Sequence, residues 1–588
     1  MKTCYITSRI ILGMMVGWAV LSCTDDDADD KTISTIGEDD YKYIGQECGN
    51  FQPEEWYPGG VLGTTENVGS TCYEDETPAV QQADLVSAFK FGEMLFEHDF
   101  TETSTSSFSG LGPAYVRTSC IHCHPGYGHG KRVESYRADY RGNGYLLVFY
   151  HPADGLNSDD GPYISEVTGM PQTKAVKPFL PPVNEDQLNL QWLTVSEAEM
   201  QASSGLSLTF PDGEKYTLSY PDLSFRGDLA AAFNTDPVPT NVACRLESTI
   251  GLYGTGLLDA IPEDSLKAEY ARQAASHRQA GRDVKEYLNP NFWDAEKDDW
   301  AGDPSLGVAN GAWYKLADGR MKIKRFTYAM TRASLQDGAG ANAMWNIPNV
   351  SRSDRHFLYT TTAWANAMSK NSSVIAAIKA DPASPYYNDG TDEGISEAVK
   401  TLLDPSTDQF SNAYHNFKPE MSDQNFWQFM VWHRGLAVPR ARDLNDAQVQ
   451  RGKKLFAQMG CTECHRPRWQ TGSDDYWAPS PIVNNNLSLP TYPHQTIYPY
   501  TDMLQHRLYM KNGIHGSWCR TTPLWGRGLS LANTGAEDRL HDCRAKNEVE
   551  AIMWHAYSKN SDAYWSARQF YYLTKEERDA VVKFLKSI

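Results

Sequence analysis

Two short segments of this sequence repeat one spacing of reactive groups: Cys120-Ile121-His122-Cys123-His124 and Cys461-Thr462-Glu463-Cys464-His465. Two thiols three residues apart on one helical turn can add to the two vinyl groups of a single haem. The histidine that follows then reaches the iron as proximal ligand. A redox C-x-x-C pair or half of a zinc site has no use for a histidine at that position, and here the pattern occurs twice. The expectation is two covalently bound haem c groups, held by Cys120 and Cys123 and by Cys461 and Cys464, with His124 and His465 on the irons.

Attachment of this kind takes place outside the cytoplasm, and the N-terminus independently reads as an export signal. Lys2 and Arg9 precede an apolar run from Ile10 to Leu21 that is too short to span a bilayer. The run ends in Val20-Leu21-Ser22-Cys23, which resembles a bacterial lipobox and makes Cys23 the expected lipid anchor. Behind it Thr24-Asp25-Asp26-Asp27-Ala28-Asp29-Asp30 has nothing apolar to bury and reads as a solvated tether. Such acidic stretches resemble surface-export signals of bacterial lipoproteins. The expected location is the outer membrane, on its periplasmic or cell-surface side.

A chain of 588 residues with 41% apolar content exceeds what one core usually organises. Its formal charge of -20 excludes nucleic acid and anionic membrane surfaces as partners, because a polyanion is repelled by such a surface. Small neutral substrates and redox proteins remain open. Of the eleven cysteines, two lie in the export segment and four in the haem motifs, which leaves Cys48, Cys72, Cys244, Cys519 and Cys543. An odd number in an oxidising compartment implies at least one disulfide and one free thiol, with Cys48–Cys72 and Cys519–Cys543 as the pairings and Cys244 left over.

The elements that must position the motifs can be traced from periodicity. Leu85, Val86, Phe89, Leu95 and Phe96 recur at helical spacing ahead of the first motif, and Gly110-Leu111-Gly112-Pro113 breaks the chain between them. In the long middle, Tyr145 to Tyr150 is continuously apolar and Leu206 to Phe210 alternates, and both read as strands. From Asp446, Val449, Lys453 to Phe456 and Met459 form a helix leading into Cys461. Thr574-Lys575-Glu576-Glu577 is a capping box that opens a last helix carrying Val581, Phe584, Leu585 and Ile588 on one stripe. The expected fold is mainly α: two cytochrome c-like haem domains, the first with a large mixed α/β elaboration. The expected divisions are a signal peptide over 1–22, a tether and cover segment over 23–80, a first haem domain with a long insertion over 81–440 and a second over 441–588.

These segments resemble the bacterial di-haem oxidoreductases often labelled thiol oxidoreductases, relatives of the di-haem cytochrome c peroxidases. Gly110-Leu111-Gly112-Pro113, Thr118-Ser119-Cys120 and Gly126-Tyr127-Gly128-His129-Gly130 are similar to that family's first haem segment. Gly254-Thr255-Gly256-Leu257-Leu258-Asp259-Ala260-Ile261-Pro262-Glu263 is similar to its GLGLLDAIP block. Tyr498-Pro499-Tyr500-Thr501-Asp502, Arg520-Thr521-Thr522-Pro523-Leu524-Trp525-Gly526 and Leu540-His541-Asp542 also fit. The chain departs from the pattern at His129 and Cys543, where glycine is usual, and at Arg507-Leu508-Tyr509, where Asp-Met-Gly is.

The sixth position on each iron decides what each haem can do, since a closed site transfers electrons and an open one binds peroxide. For the second haem the resemblance of Glu548 to His555 to the family's EAILWH block points to His555, with Met510, Met553 and His541 as alternatives. For the first, His129 and His151 are within reach in sequence. The resemblance places Gln336 in a distal pocket, and Asp259 and Glu263 are acid–base candidates that also suit the start of a helix. Together these imply a peroxidase-like enzyme in which one haem transfers electrons and the other reduces hydrogen peroxide or another small oxidant, fed by a redox protein. The competing expectation is an electron-carrying surface cytochrome with two six-coordinate haems, and a third is a partner in iron uptake. No residue singles out a thiol substrate.

Overall fold

The computed structural model describes residues 49–102, 110–140, 144–152, 163–306, 311–316, 319–336, 338–474 and 488–588. The export segment, Cys23 and Cys48 lie outside the described residues. Among the described residues no helix is long and apolar enough to cross a membrane.

The helices that carry the haem segments are α1 (Val86–Glu97), α2 (Thr255–Asp259), α3 (Glu263–Gln279), α4 (Asp423–Arg434), α5 (Ala447–Gln458), α6 (Glu548–His555) and α7 (Lys575–Ser587). Their ends follow from side chains that satisfy the first free backbone N–H groups. Ser422 accepts from Asn425 N ahead of α4, Asp446 from Gln448 N and Val449 N ahead of α5, and Asn547 from Glu550 N ahead of α6. Thr574 and Glu577 form the expected capping box of α7.

Each haem motif is preceded by a helix that packs against a later one. α1 lies along α4, where the rings of Phe96 and Trp432 stack with centroids 4.3 Å apart. α5 lies along α7, and Gly452 permits the approach, since a Cβ there would stand 2.0 Å from the carbonyl oxygen of Ala580. Phe456, Val581 and Phe584 fill the seam and are at most 4% exposed. Each such ring or branched side chain contributes about 1.5–3 kcal/mol on burial. Cys120 belongs to the core built on Phe96 and Trp432, whereas Cys461 packs against the core built on Phe456 and Phe584.

The chain is not mainly α. Helices make up 35% and strands 14% of it, and the strands of the described residues form seven sheets, six of them two-stranded. The principal sheet contains β1 (Tyr145–Tyr150), β2 (Leu188–Thr194), β3 (Ser219–Phe225) and β4 (Ala243–Ser248) in the order β1-β4-β3-β2, antiparallel throughout. Leu147 faces Leu246 and Phe149 faces Cys244 across β1 and β4, which sets their register. The mainly α expectation fails because strand partners are brought together from far along the chain, which periodicity within one window does not register.

Two further expectations are corrected. Leu206 to Phe210 is not a strand; its one ladder contact is the bridge between Thr209 and Lys215, and the Pro211-Asp212-Gly213 turn ends the alternation. Cys519 and Cys543 are not joined in a disulfide, and neither Cys72 nor Cys244 is in one. The Cys519 sulfur lies 3.6 Å from His541 Nδ1, while the Cys543 sulfur meets Ser248 Oγ at 3.2 Å and the Gly130 carbonyl at 3.2 Å.

Candidate haem sites

After α1 the chain anchors the first motif by Ser119, whose hydroxyl donates to the Phe96 carbonyl at 3.1 Å. One turn then follows, with Cys123 N and His124 N both donating to the Cys120 carbonyl, at 3.0 and 3.2 Å. This brings Cys120, Cys123 and His124 together at the end of one buried turn. His124 Nδ1 donates to the Ile250 carbonyl at 2.9 Å, which leaves Nε2 as the free ring nitrogen. Burial lowers its pKa to about 4. A neutral imidazole fixed through Nδ1–H is the arrangement that presents Nε2 to a metal.

Beside this turn stands a histidine that sequence reasoning missed. His433, near the end of α4, is 7% exposed, and its pKa falls to about 4 through burial first and the nearness of His124 next. Its Nδ1 packs against the backbone of Gly340, where a Cβ would stand 2.3 Å away, and has no hydrogen-bond partner. Asp259, the last residue of α2, accepts from Arg434 Nη1 at 2.8 Å and from Leu335 N at 3.4 Å through Oδ2, while its buried Oδ1 is unpartnered. Gln336 is fully buried; its Oε1 accepts from Ser334 Oγ at 3.4 Å, and its Nε2 has no partner. The structure thus gathers Asp259, Gln336 and His433 near the first motif, each with a polar atom that lacks a partner. Buried polar groups are rarely left so unless they face a ligand or water.

Glu263 does not join them. It accepts from Arg325 Nη2 at 2.6 Å at the start of α3, where a carboxylate complements the free N–H groups of the helix. His129 and His151 are also engaged elsewhere. His129 Nδ1 bonds the Gly130 carbonyl at 2.8 Å and its Nε2 the Tyr328 hydroxyl at 3.1 Å, whereas His151 Nδ1 reaches the Asn241 carbonyl at 3.2 Å.

The second motif follows α5 directly, with Gly460 in the left-handed conformation turning the chain into Cys461. His465 N donates to the Cys461 carbonyl at 3.0 Å, and His465 Nδ1 to the Tyr500 carbonyl at 3.1 Å. Cys461, Cys464 and His465 line a cavity of about 570 Å³ together with His555, the last residue of α6. His555 Nδ1 donates to the Ala551 carbonyl at 2.7 Å, so its Nε2 is likewise the free nitrogen. Burial and then His555 lower the pKa of His465 to about 4, which places the two rings near one another. Met510 and Met553 sit in the apolar core instead, and His541 lines the cavity with its Nε2 3.5 Å from Asp542 Oδ2.

The donor set fits haem. The cavity volume lies in the range of cofactor pockets, the thiols of Cys461 and Cys464 and the imidazoles of His465 and His555 are among the groups that border it, and Arg520 contributes a buried cation whose Nε has no partner and whose burial lowers its pKa to about 10. A haem carboxylate would supply the missing anion. Cys464 also forms, with Asp502 and His506, a close group of potential metal ligands, and this group belongs to the same attachment site.

No curated protein matches the chain. Residues 407–588, which carry His433, the Cys461-to-His465 motif and His555, match the family whose model is described as "Di-haem oxidoreductase, putative peroxidase".

Proposed function

We propose that the chain is a di-haem c-type peroxidase-like enzyme that reduces hydrogen peroxide or another small oxidant at the first site with electrons received at the second. The observation that carries this reading is the cluster of Asp259, Gln336 and His433 beside His124, each with a buried polar atom that has no hydrogen-bond partner.

Cys120 and Cys123 would hold the first haem and Cys461 and Cys464 the second, with His124, His465 and His555 as the residues that would bind iron. When bound, the haems supply electrons to the oxidant and accept them from a redox protein. Cleavage of a peroxide requires that a proton leave the near oxygen and one arrive at the far oxygen. His433, neutral in its buried position, takes and returns that proton. The Gln336 amide donates a hydrogen bond to the peroxide as charge develops on it. Asp259 holds Arg434 and Leu335 in place and keeps this pocket polar. At the second site His465 and His555, which line one cavity, would hold a haem iron suited to electron transfer.

Export with lipidation at Cys23, on the periplasmic or surface side of the outer membrane, belongs to the same proposal. The haem-loaded protein is tested by steady-state peroxide reduction with a reduced dye as donor, alongside the ferric visible spectrum. Turnover with a high-spin fraction supports the reading. A wholly low-spin spectrum without turnover would instead support the electron-carrying cytochrome.

A further inference from the structure

Tyr328 and His129 form a buried pair that the peroxide mechanism does not use. The Tyr328 ring is 2% exposed and lines the cavity of the second motif. Ile250 packs against the cluster of Tyr328, Ile514 and Cys519, and the Ile250 carbonyl is the acceptor for His124 Nδ1. Tyr328 therefore touches both haem segments, since it lines the cavity of the second motif and bonds His129, which follows His124 in the first. Its backbone carbonyl is held by Arg520 N at 3.2 Å and Gln505 Nε2 at 2.8 Å.

The protonation pattern of the pair is fixed by geometry. His129 Nδ1 donates to the Gly130 carbonyl, so its Nε2 carries the lone pair that accepts the Tyr328 hydroxyl proton at 3.1 Å. A buried phenol that gives up an electron must also give up its proton, because the cationic phenol is too acidic to persist beside a base. Here the base is in contact. Burial, with Arg527 next, independently keeps His129 neutral, lowering its pKa to about 3.

We propose that Tyr328 and His129 form a proton-coupled electron relay between the two haem sites. One electron leaves Tyr328 toward the oxidised first site, and the phenolic proton crosses to His129 Nε2. An electron from the second site then restores Tyr328, and the proton returns. Two passages deliver the two electrons that, with two protons from water, convert one peroxide into two waters, and the pair is unchanged. This rests on the peroxide reading above.

The test is freeze-quench electron paramagnetic resonance on the haem-loaded full chain mixed with hydrogen peroxide, with ring-deuterated tyrosine to identify the radical. Wild type is expected to show a tyrosyl signal that narrows on deuteration. Tyr328→Phe, which keeps the ring packing, is expected to lose the signal and slow oxidation of the pre-reduced second haem, and His129→Gln to lower the radical yield. An unchanged signal or an unchanged rate in Tyr328→Phe overturns the relay. If peroxide leaves the haem spectrum of wild type untouched, the peroxide reading fails. The relay is then read with a photogenerated ruthenium(III) polypyridyl oxidant, and absence of a Tyr328-dependent signal with that oxidant overturns it.

Discussion

His465 and His555 line one cavity and are anchored in the same way: each donates Nδ1–H to a backbone carbonyl, of Tyr500 and of Ala551 respectively, which leaves Nε2 as the nitrogen with the lone pair. Such anchoring fixes the ring and raises its basicity as a ligand. The expected outcome of His555→Ala is a second haem that remains attached but gains a high-spin ferric component. His555→Met is expected to raise its reduction potential, since a thioether favours the ferrous state. Potentiometric titration followed by visible spectroscopy reads both.

The proposed covalent attachment would separate this protein from one that merely binds haem. After acid–acetone extraction, wild type is expected to retain two haems by mass spectrometry. The double substitutions Cys120→Ala with Cys123→Ala and Cys461→Ala with Cys464→Ala are each expected to retain one.

His433→Gln removes the proposed proton carrier and is expected to lower peroxide turnover by about 10²–10⁴-fold, the range of general acid–base contributions. Gly340→Ala attacks the same ring indirectly, since its Cβ would press on His433 Nδ1. It is expected to lower turnover in the same direction while the spectrum of the second haem is unchanged.

Arg434 binds two buried carboxylates, Asp259 at 2.8 Å and Asp474 at 2.6 Å. Arg434→Met leaves both without their cation. Breaking a buried pair from one side costs about 3–5 kcal/mol, so the midpoint of chemical denaturation is expected to fall accordingly. Asp474→Asn, which keeps a carbonyl acceptor for Arg434, is expected to fall less.

Asp562 is a buried carboxylate whose pKa burial raises to about 6, with His506 opposing the shift. A raised carboxyl contributes stability that is present below its unfolded pKa near 4 and is lost as pH rises through 6. Asp562→Asn is expected to flatten the dependence of the melting temperature on pH between 4 and 7. At neutral pH it should stabilise by up to about 3 kcal/mol, two pKa units' worth.

The sequence alone determined the chemistry that is local. Two thiols and a histidine on one turn carry the expectation of haem attachment whatever the surrounding fold, because the groups concerned lie within five residues. The helices Val86–Glu97, Ala447–Gln458 and Lys575–Ser587 were legible for the same reason, since their stripes and caps are short-range. What lay beyond reach was every feature made by residues distant in the chain. The strand pairs that remove the mainly α character, the separate burial of Cys519 and Cys543, and the diversion of Glu263 to Arg325 belong to this class. His433 shows the limit most plainly: nothing in its own segment distinguishes it from a core histidine, and only the packing of the Asp423–Arg434 helix against Val86–Glu97 and Gly340 sets it beside His124. Covalent spacing fixes which atoms can react with a haem, whereas tertiary packing decides which other side chains the haem will meet.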